Sequence, residues 1–172
     1  VTTHTLIILG SGGHTTEMLQ IVRNLSFQQY SPRIYIHAQT DKISAGKIND
    51  VELENGEYRV IKISRSREVG QSYLTSVWST LVSFKDSMKI VWTEMPDLIL
   101  CNGPGTCVPI CVAAFVLKLA FIGETKMIFI ESFCRVKTYS LTGKILYYIA
   151  DSLIVQWPQL CKTRDKHVHL IK

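Results

Sequence analysis

Apolar side chains fall along this chain in two alternating kinds of block. Short runs rich in β-branched and aromatic residues occupy 4–9, 33–38, 58–63, 97–101, 126–130 and 152–156. Between them, segments 15–25, 42–53, 72–92, 107–121 and 141–150 space their apolar residues as helices do. Ser31-Pro32 and Met95-Pro96-Asp97 punctuate the pattern, because proline disfavours helix in the residue before it. Ile7-Ile8-Leu9 and Leu98-Ile99-Leu100 are apolar on consecutive positions, which suits parallel strands covered by helices on both faces. Strand–helix alternation with double burial predicts an α/β fold: a Rossmann-like, doubly wound, mostly parallel sheet. With no internal repeat and no linker, residues 1–172 read as one domain.

In the 72–92 segment, Leu74, Val77, Leu81, Met88 and Val91 lie near helical spacing and are expected in the core. Trp78, Phe84, Lys85, Lys89 and Trp92 flank them. Aromatic and basic side chains together suit lipid headgroups, and they equally suit a surface helix whose lysines snorkel. The most apolar stretch, 108–122, is shorter than the roughly 20 residues that span a bilayer and carries Lys118, so it reads as a buried helix.

Composition narrows the partners. At 47% hydrophobic and 19% charged, the 172 residues are expected to fold throughout. A formal charge of +5 favours anions: phosphates, acidic lipid or nucleic acid. No dense Lys/Arg run interleaved with aromatics occurs, which argues against nucleic acid and leaves a membrane surface or a phosphorylated substrate. Five cysteines without a CxxC pair do not make a secreted disulfide framework, and Cys107 and Cys111 read as small buried residues.

In an open parallel sheet, ligands bind beyond the carboxyl ends of the strands. The first such loop is Gly10-Ser11-Gly12-Gly13-His14-Thr15, which suits close approach of backbone N–H groups to phosphate at a helix start. It is neither a Walker A loop nor a good dinucleotide fingerprint: Thr15 stands where the third glycine belongs, and His37-Ala38-Gln39 stands where a ribose-binding carboxylate would end the second strand. His14 is placed to donate to phosphate or to accept a hydroxyl proton. Glu17 reads as a carboxylate complementing the helix dipole.

The later loops carry chemistry too. Ser64-Arg65-Ser66-Arg67-Glu68 offers two arginines for a diphosphate or for lipid phosphates. Asn102-Gly103-Pro104-Gly105-Thr106 runs into a helix with Thr106 as a candidate N-cap. Glu131-Ser132-Phe133-Cys134-Arg135 brings a carboxylate, a hydroxyl and a guanidinium to the same edge, with an internal Glu131–Arg135 pair as the plain alternative. Four polar loops at one sheet edge are read most economically as a site for a diphosphate-bearing ligand.

Gly10-Ser11-Gly12-Gly13-His14-Thr15-Thr16-Glu17-Met18-Leu19 resembles the amino-terminal loop of the acceptor-side subunits of the eukaryotic dolichol-pathway N-acetylglucosaminyltransferase. The stretches 64–69, 96–109, 131–135 and Val155-Gln156-Trp157-Pro158 look like that family in the same order, over nearly the whole chain. The first loop also resembles that of the bacterial lipid-linked glycosyltransferase completing the peptidoglycan precursor. The resemblance implies the amino-terminal half of a GT-B glycosyltransferase at the cytosolic face of the endoplasmic reticulum membrane. It implies a separate partner subunit that binds UDP-N-acetylglucosamine, and dolichyl-diphosphate-N-acetylglucosamine as acceptor for a second, β-1,4-linked sugar.

By the same implication, Ser11, Gly12, Gly13 and His14 face the acceptor diphosphate or the reacting hydroxyl, with His14 as catalytic base. Asn102, Gly103, Gly105, Thr106, Glu131 and Arg135 line the cleft, and Arg65 and Arg67 are further phosphate or lipid contacts. No cofactor or metal is expected, His167 and His169 being a weak pair of ligands. The amino-terminal membrane helix usual in the family has no counterpart in these residues, and 167–172 differ from the expected ending. The alternatives are a non-catalytic membrane scaffold for a catalytic partner, and a stand-alone dinucleotide-binding enzyme.

Overall fold

The computed structural model describes residues 2–41, 44–52, 58–64, 73–103, 105–161 and 167–171, with 45 and 73–81 as backbone only. The strands are β1 (Thr5–Ile8), β2 (Arg33–Ala38), β3 (Tyr58–Ile63), β4 (Leu98–Asn102), β5 (Lys126–Ile130), β6 (Ser152–Val155) and β7 (Val168–Leu170). The helices are α1 (Gly13–Arg23), α2 (Ser44–Glu52), α3 (Tyr73–Glu94), α4 (Cys107–Leu119) and α5 (Leu141–Leu146). All strand pairs are parallel, in the order β3-β2-β1-β4-β5-β6-β7. The expected doubly wound α/β sheet is what forms.

Double burial follows from the alternation of side chains along each strand. Leu6 and Ile8 of β1 and Ile99 and Cys101 of β4 join the core on one face, with Ile110 and Cys111 of α4 and Val91 of α3. Ile7 and Leu9, with Leu98 and Leu100 of β4, join the opposite core under Met18, Leu19 and Val22 of α1 and Ile48 of α2. Cys107 and Cys111 are fully buried, as small apolar side chains.

Four details depart from the sequence reading. β7 was not foreseen; its three residues pair with β6 through Leu153↔Val168 and Val155↔Leu170. β3 is the sheet's edge, and Val60 there is 40% exposed despite the apolar run. Helix α5 ends at Leu146 rather than at 150. The inner face of α3 carries, beside Val91, the fully buried Ser83 and Ser87, whose hydroxyls a hydrophobic pattern does not register. Leu74, Val77, Trp78 and Leu81 lie where no side chain is described.

A buried polar cluster braces β2. Arg33, first in that strand, donates to Glu52 at 2.8 Å and to the carbonyls of Leu25 at 2.8 Å and Tyr30 at 3.0 Å. The Tyr35 hydroxyl donates to the same Glu52 oxygen. Burial, reinforced by that carboxylate, pushes the Tyr35 phenol well above its ordinary pKa, so it stays a donor.

Candidate functional site

The strand order reverses between β1 and β4, which are neighbours in register Ile8↔Cys101 although the chain leaves them in opposite directions across the sheet. A crevice opens where such a reversal occurs. The residues that follow β1 and end β4 therefore meet there.

The loop after β1 turns at Gly12, whose φ of 62° suits glycine, and leads into α1. Thr15 is buried and holds the loop, donating to the Gly10 carbonyl at 2.7 Å and sharing a hydrogen bond with the Ser44 hydroxyl at 2.8 Å. No side chain caps α1. Ser11, Gly12 and Gly13 are exposed, so the first N–H groups of the helix face outward with its positive dipole end.

At the second residue of α1, His14 Nδ1 lies 2.9 Å from Asn102 Oδ1 at the end of β4. Asn102 is fully buried, and its Nδ2 donates to Glu17 Oε2 at 3.0 Å. The other Glu17 oxygen accepts from the Ser132 hydroxyl, also at 3.0 Å. Glu17 thus does more than complement a dipole: it ties α1 to β4 and to the loop after β5. The i,i+3 spacing of His14 and Glu17, which puts them on one helix face, was the available signal. His14 Nε2 has no partner among the described residues.

Gly103, at φ 69°, lies against the imidazole; a Cβ there would stand 2.3 Å from His14 Cε1. Gly105 is exposed, and Thr106 is buried at the N-cap position of α4. The expected capping bond is not made: Thr106 has helical φ and ψ of −61° and −24°, and its hydroxyl does not reach back to the helix.

Glu131 does not line an open cleft. Its side chain is fully buried and accepts from the Ser132 N–H at 3.3 Å, the Ser140 N–H at 2.9 Å and the Ser140 hydroxyl at 3.1 Å. Ser140 caps α5 by accepting from the Gly143 N–H at 2.9 Å. Arg135 is exposed, and no ion pair joins it to Glu131 among the described residues. Glu131 shapes the loop that carries Ser132.

The Gln156-Trp157 stretch holds that loop from the other side: Gln156 donates to the Glu131 carbonyl at 3.1 Å and the Trp157 indole to the Phe133 carbonyl at 2.7 Å. Phe133 is 55% exposed, with its ring centroid 5.0 Å from that of Trp157. A groove of about 410 Å³ runs beside the site between Glu17, Gln20 and Ile21 on one bank and Phe133, Gln156 and Ile171 on the other.

The structure therefore brings together Ser11, Gly12, Gly13, His14, Asn102 and Gly103 with the Ser132 hydroxyl of the loop after β5, and it adds Glu17, which reads in sequence only as a dipole complement. Arg65 and Arg67 lie outside the described residues. His169 is exposed on β7, while His167 packs edge-on against Tyr147 at 4.6 Å. Among the described residues no group of His, Cys, Asp and Glu is arranged to hold a metal ion.

The fold matches that of solved glycosyltransferases of the GT-B kind. The crystal structure of Acinetobacter baumannii MurG aligns with a TM-score of 0.68 at 15% identity, covering 99% of this chain and 45% of that one. The structure of LpCGTa in complex with UDP aligns at 0.54 and 10% identity, over 91% of this chain and 46% of its own. The domain thus has the fold of one Rossmann-like half of such enzymes and spans less than half the length of either.

The family model "Oligosaccharide biosynthesis protein Alg14 like" matches residues 5–171, and this chain belongs to that family. Relatives named UDP-N-acetylglucosamine transferase subunit ALG14 are 49% identical in Rattus norvegicus, over 96% of this chain and 80% of that protein, and 47% identical in Homo sapiens over the same shares. The relative from Schizosaccharomyces pombe is 41% identical over 98% of this chain and 81% of its own length.

Proposed function

We propose that this chain is the acceptor-side subunit of an inverting N-acetylglucosaminyltransferase, inactive alone. With a donor-binding partner it adds the second N-acetylglucosamine, in β-1,4 linkage, to dolichyl-diphosphate-N-acetylglucosamine. The observation that carries this reading is the His14–Asn102 pair beside the uncapped start of α1, at the switch point of the sheet.

In this reading the acceptor diphosphate lies against the exposed N–H groups of Ser11, Gly12 and Gly13, where the helix dipole favours negative charge. His14, with Nδ1 turned to Asn102, presents Nε2 to the 4-hydroxyl of the acceptor sugar. The hydroxyl proton passes to Nε2 as the oxygen bonds to the anomeric carbon of the donor, and the bond to UDP breaks with its electron pair leaving on the diphosphate. One displacement inverts the anomeric centre. Groups on the partner bind UDP-N-acetylglucosamine and stabilise the departing charge.

Attachment to the cytosolic face of the endoplasmic reticulum membrane is the companion proposal. A flank of α3 supports it: Phe84, Lys85, Met88, Lys89 and Trp92 line a shallow depression of about 500 Å³, and Trp92 is 56% exposed. Met95, just past the end of that helix, is 41% exposed, and Phe121, just past the end of α4, is 98% exposed. Apolar and basic side chains sharing one surface suit a headgroup layer. No helix among the described residues is long and apolar enough to cross a bilayer.

His14→Ala in the reconstituted pair tests the catalytic reading. Loss of turnover with assembly intact supports it; unchanged turnover reduces the chain to a scaffold for the partner.

A further inference from the structure

We infer that Glu17, held by Ser132, is a positioning residue that fixes the tautomer of His14 through Asn102. The inference rests on the proposed role of His14 for its consequence in catalysis, although the tautomer itself is independent of that role.

An ionised carboxylate can only accept hydrogen bonds. Glu17 Oε1 is met by the Ser132 hydroxyl at 3.0 Å, and Oε2 by the Asn102 side chain at 3.0 Å. The Asn102 atom facing Glu17 must therefore be the amide nitrogen, since a carbonyl oxygen there would set two acceptors against each other in a half-buried place. That choice turns Oδ1 of Asn102 toward His14 Nδ1, 2.9 Å away. An oxygen acceptor at that distance requires Nδ1 to carry the hydrogen. In the neutral ring the lone pair then resides on Nε2, the nitrogen without a partner among the described residues.

Surrounding structure leaves this arrangement little freedom. Asn102 is fully buried at the end of β4, and Ser132 is only 5% exposed. Ser132 is fixed in turn because its own N–H donates to buried Glu131, whose carbonyl accepts from Gln156. Gly103 lies against the imidazole, 2.3 Å from Cε1 to a hypothetical Cβ, so the ring packs where no other residue's side chain could fit. The sequence scatters these groups over residues 14, 17, 102 and 132; the sheet gathers them at one edge.

When the acceptor hydroxyl gives up its proton, Nε2–H forms and the ring becomes an imidazolium. Its Nδ1–H remains on Asn102 Oδ1, and the Glu17 carboxylate, one hydrogen bond beyond Asn102, lowers the energy of that cation. Replacing Glu17 by Gln keeps its size and removes both the charge and the strict acceptor character. Asn102 is then free to turn its amide, and the His14 tautomer is no longer selected.

The test uses the chain labelled with nitrogen-15 in histidine, assembled with its donor-binding subunit, the His14 signals being those lost in His14→Gln. The wild-type complex is expected to show Nδ1 protonated and Nε2 bare, and Glu17→Gln a mixture of tautomers. In the transfer assay, Glu17→Gln is expected to lower kcat by about 10- to 100-fold with KM within about two-fold, and Ser132→Ala to do the same more weakly. A wild-type ring protonated at Nε2, or a Glu17→Gln complex with unchanged tautomer, overturns the inference. If Glu17→Gln fails to assemble, the wild-type tautomer still decides. If the tautomer is as expected while His14→Ala turns over normally, the base assignment fails and the positioning chain stands.

Discussion

A Cβ on Gly103 would stand 2.3 Å from Cε1 and 2.5 Å from Nδ1 of His14, and its backbone holds φ at 69°. Gly103→Ala therefore has to displace the imidazole or the end of β4, and an L side chain is strained there in any case. Turnover of the reconstituted pair is expected to fall on the order of 100-fold, with a stability loss of about 1 kcal/mol in urea titration. Equal activity in the variant would mean that the ring position is not critical.

Buried Glu131 and the α5 cap form a second such relationship. Ser140→Ala removes both the donor to Glu131 and the acceptor for the Gly143 N–H. The expected cost is about 1–3 kcal/mol by denaturant unfolding. Gly143→Ala is expected to be at least as damaging, because the added Cβ would lie 2.3 Å from Glu131 Oε2.

Arg33 and Glu52, both with fully buried side chains, form the ion pair under β2. Arg33→Met strands the carboxylate and is expected to destabilise the chain by about 3–5 kcal/mol. Adding Glu52→Leu to that variant is expected to recover much of the loss, since two apolar groups leave no buried charge alone. A double variant as unstable as the single one would contradict this.

Asp151 ties α4 to β5, accepting from Lys118 at 2.6 Å and from the Met127 N–H at 2.9 Å. Burial acts to raise its pKa, but those two hydrogen bonds and the lysine charges outweigh it and hold the carboxyl below its ordinary 3.8. A folded value below the unfolded one stabilises the fold above about pH 4 and loses that contribution as pH falls through the folded value. The stability gap between wild type and Asp151→Asn is therefore expected to be largest near neutral pH, at no more than about 1 kcal/mol, and to narrow below pH 4. A gap that widens on acidification would reverse the sign.

For the surface of α3, flotation with liposomes containing acidic lipid is expected to weaken when Lys85 and Lys89 are both changed to Glu. Equal flotation of wild type and variant would remove any electrostatic contribution from these lysines.

Much of the fold was legible because doubly covered parallel strands are apolar on consecutive positions: Ile7 and Ile8, or Leu98 to Leu100, cannot be read as amphipathic. β7 was illegible because Val168-His169-Leu170 is three residues long with a histidine at its centre, and only its pairing with β6 makes it a strand. The first loop was readable as chemistry from its glycines and His14. Ser132 was readable only as a hydroxyl at the same edge and Glu17 only as a dipole complement, because their shared role depends on contacts between residues far apart in sequence, 85 residues from Glu17 to Asn102 and 115 from Glu17 to Ser132. Glu131 was misplaced for the opposite reason: a carboxylate at a strand end reads in sequence as a group lining the cleft, while its burial and its bonds to Ser140 appear only in three dimensions.

The central claim is that this chain supplies the acceptor site of a transferase whose donor site lies on another chain. Its most direct test is transfer of N-acetylglucosamine from radiolabelled UDP-N-acetylglucosamine to a dolichyl-diphosphate-N-acetylglucosamine analogue, by this chain alone, by the donor-binding subunit alone, and by both together. Product only in the mixture is the predicted result. Product from this chain alone, or from the partner alone at the rate of the mixture, would contradict it.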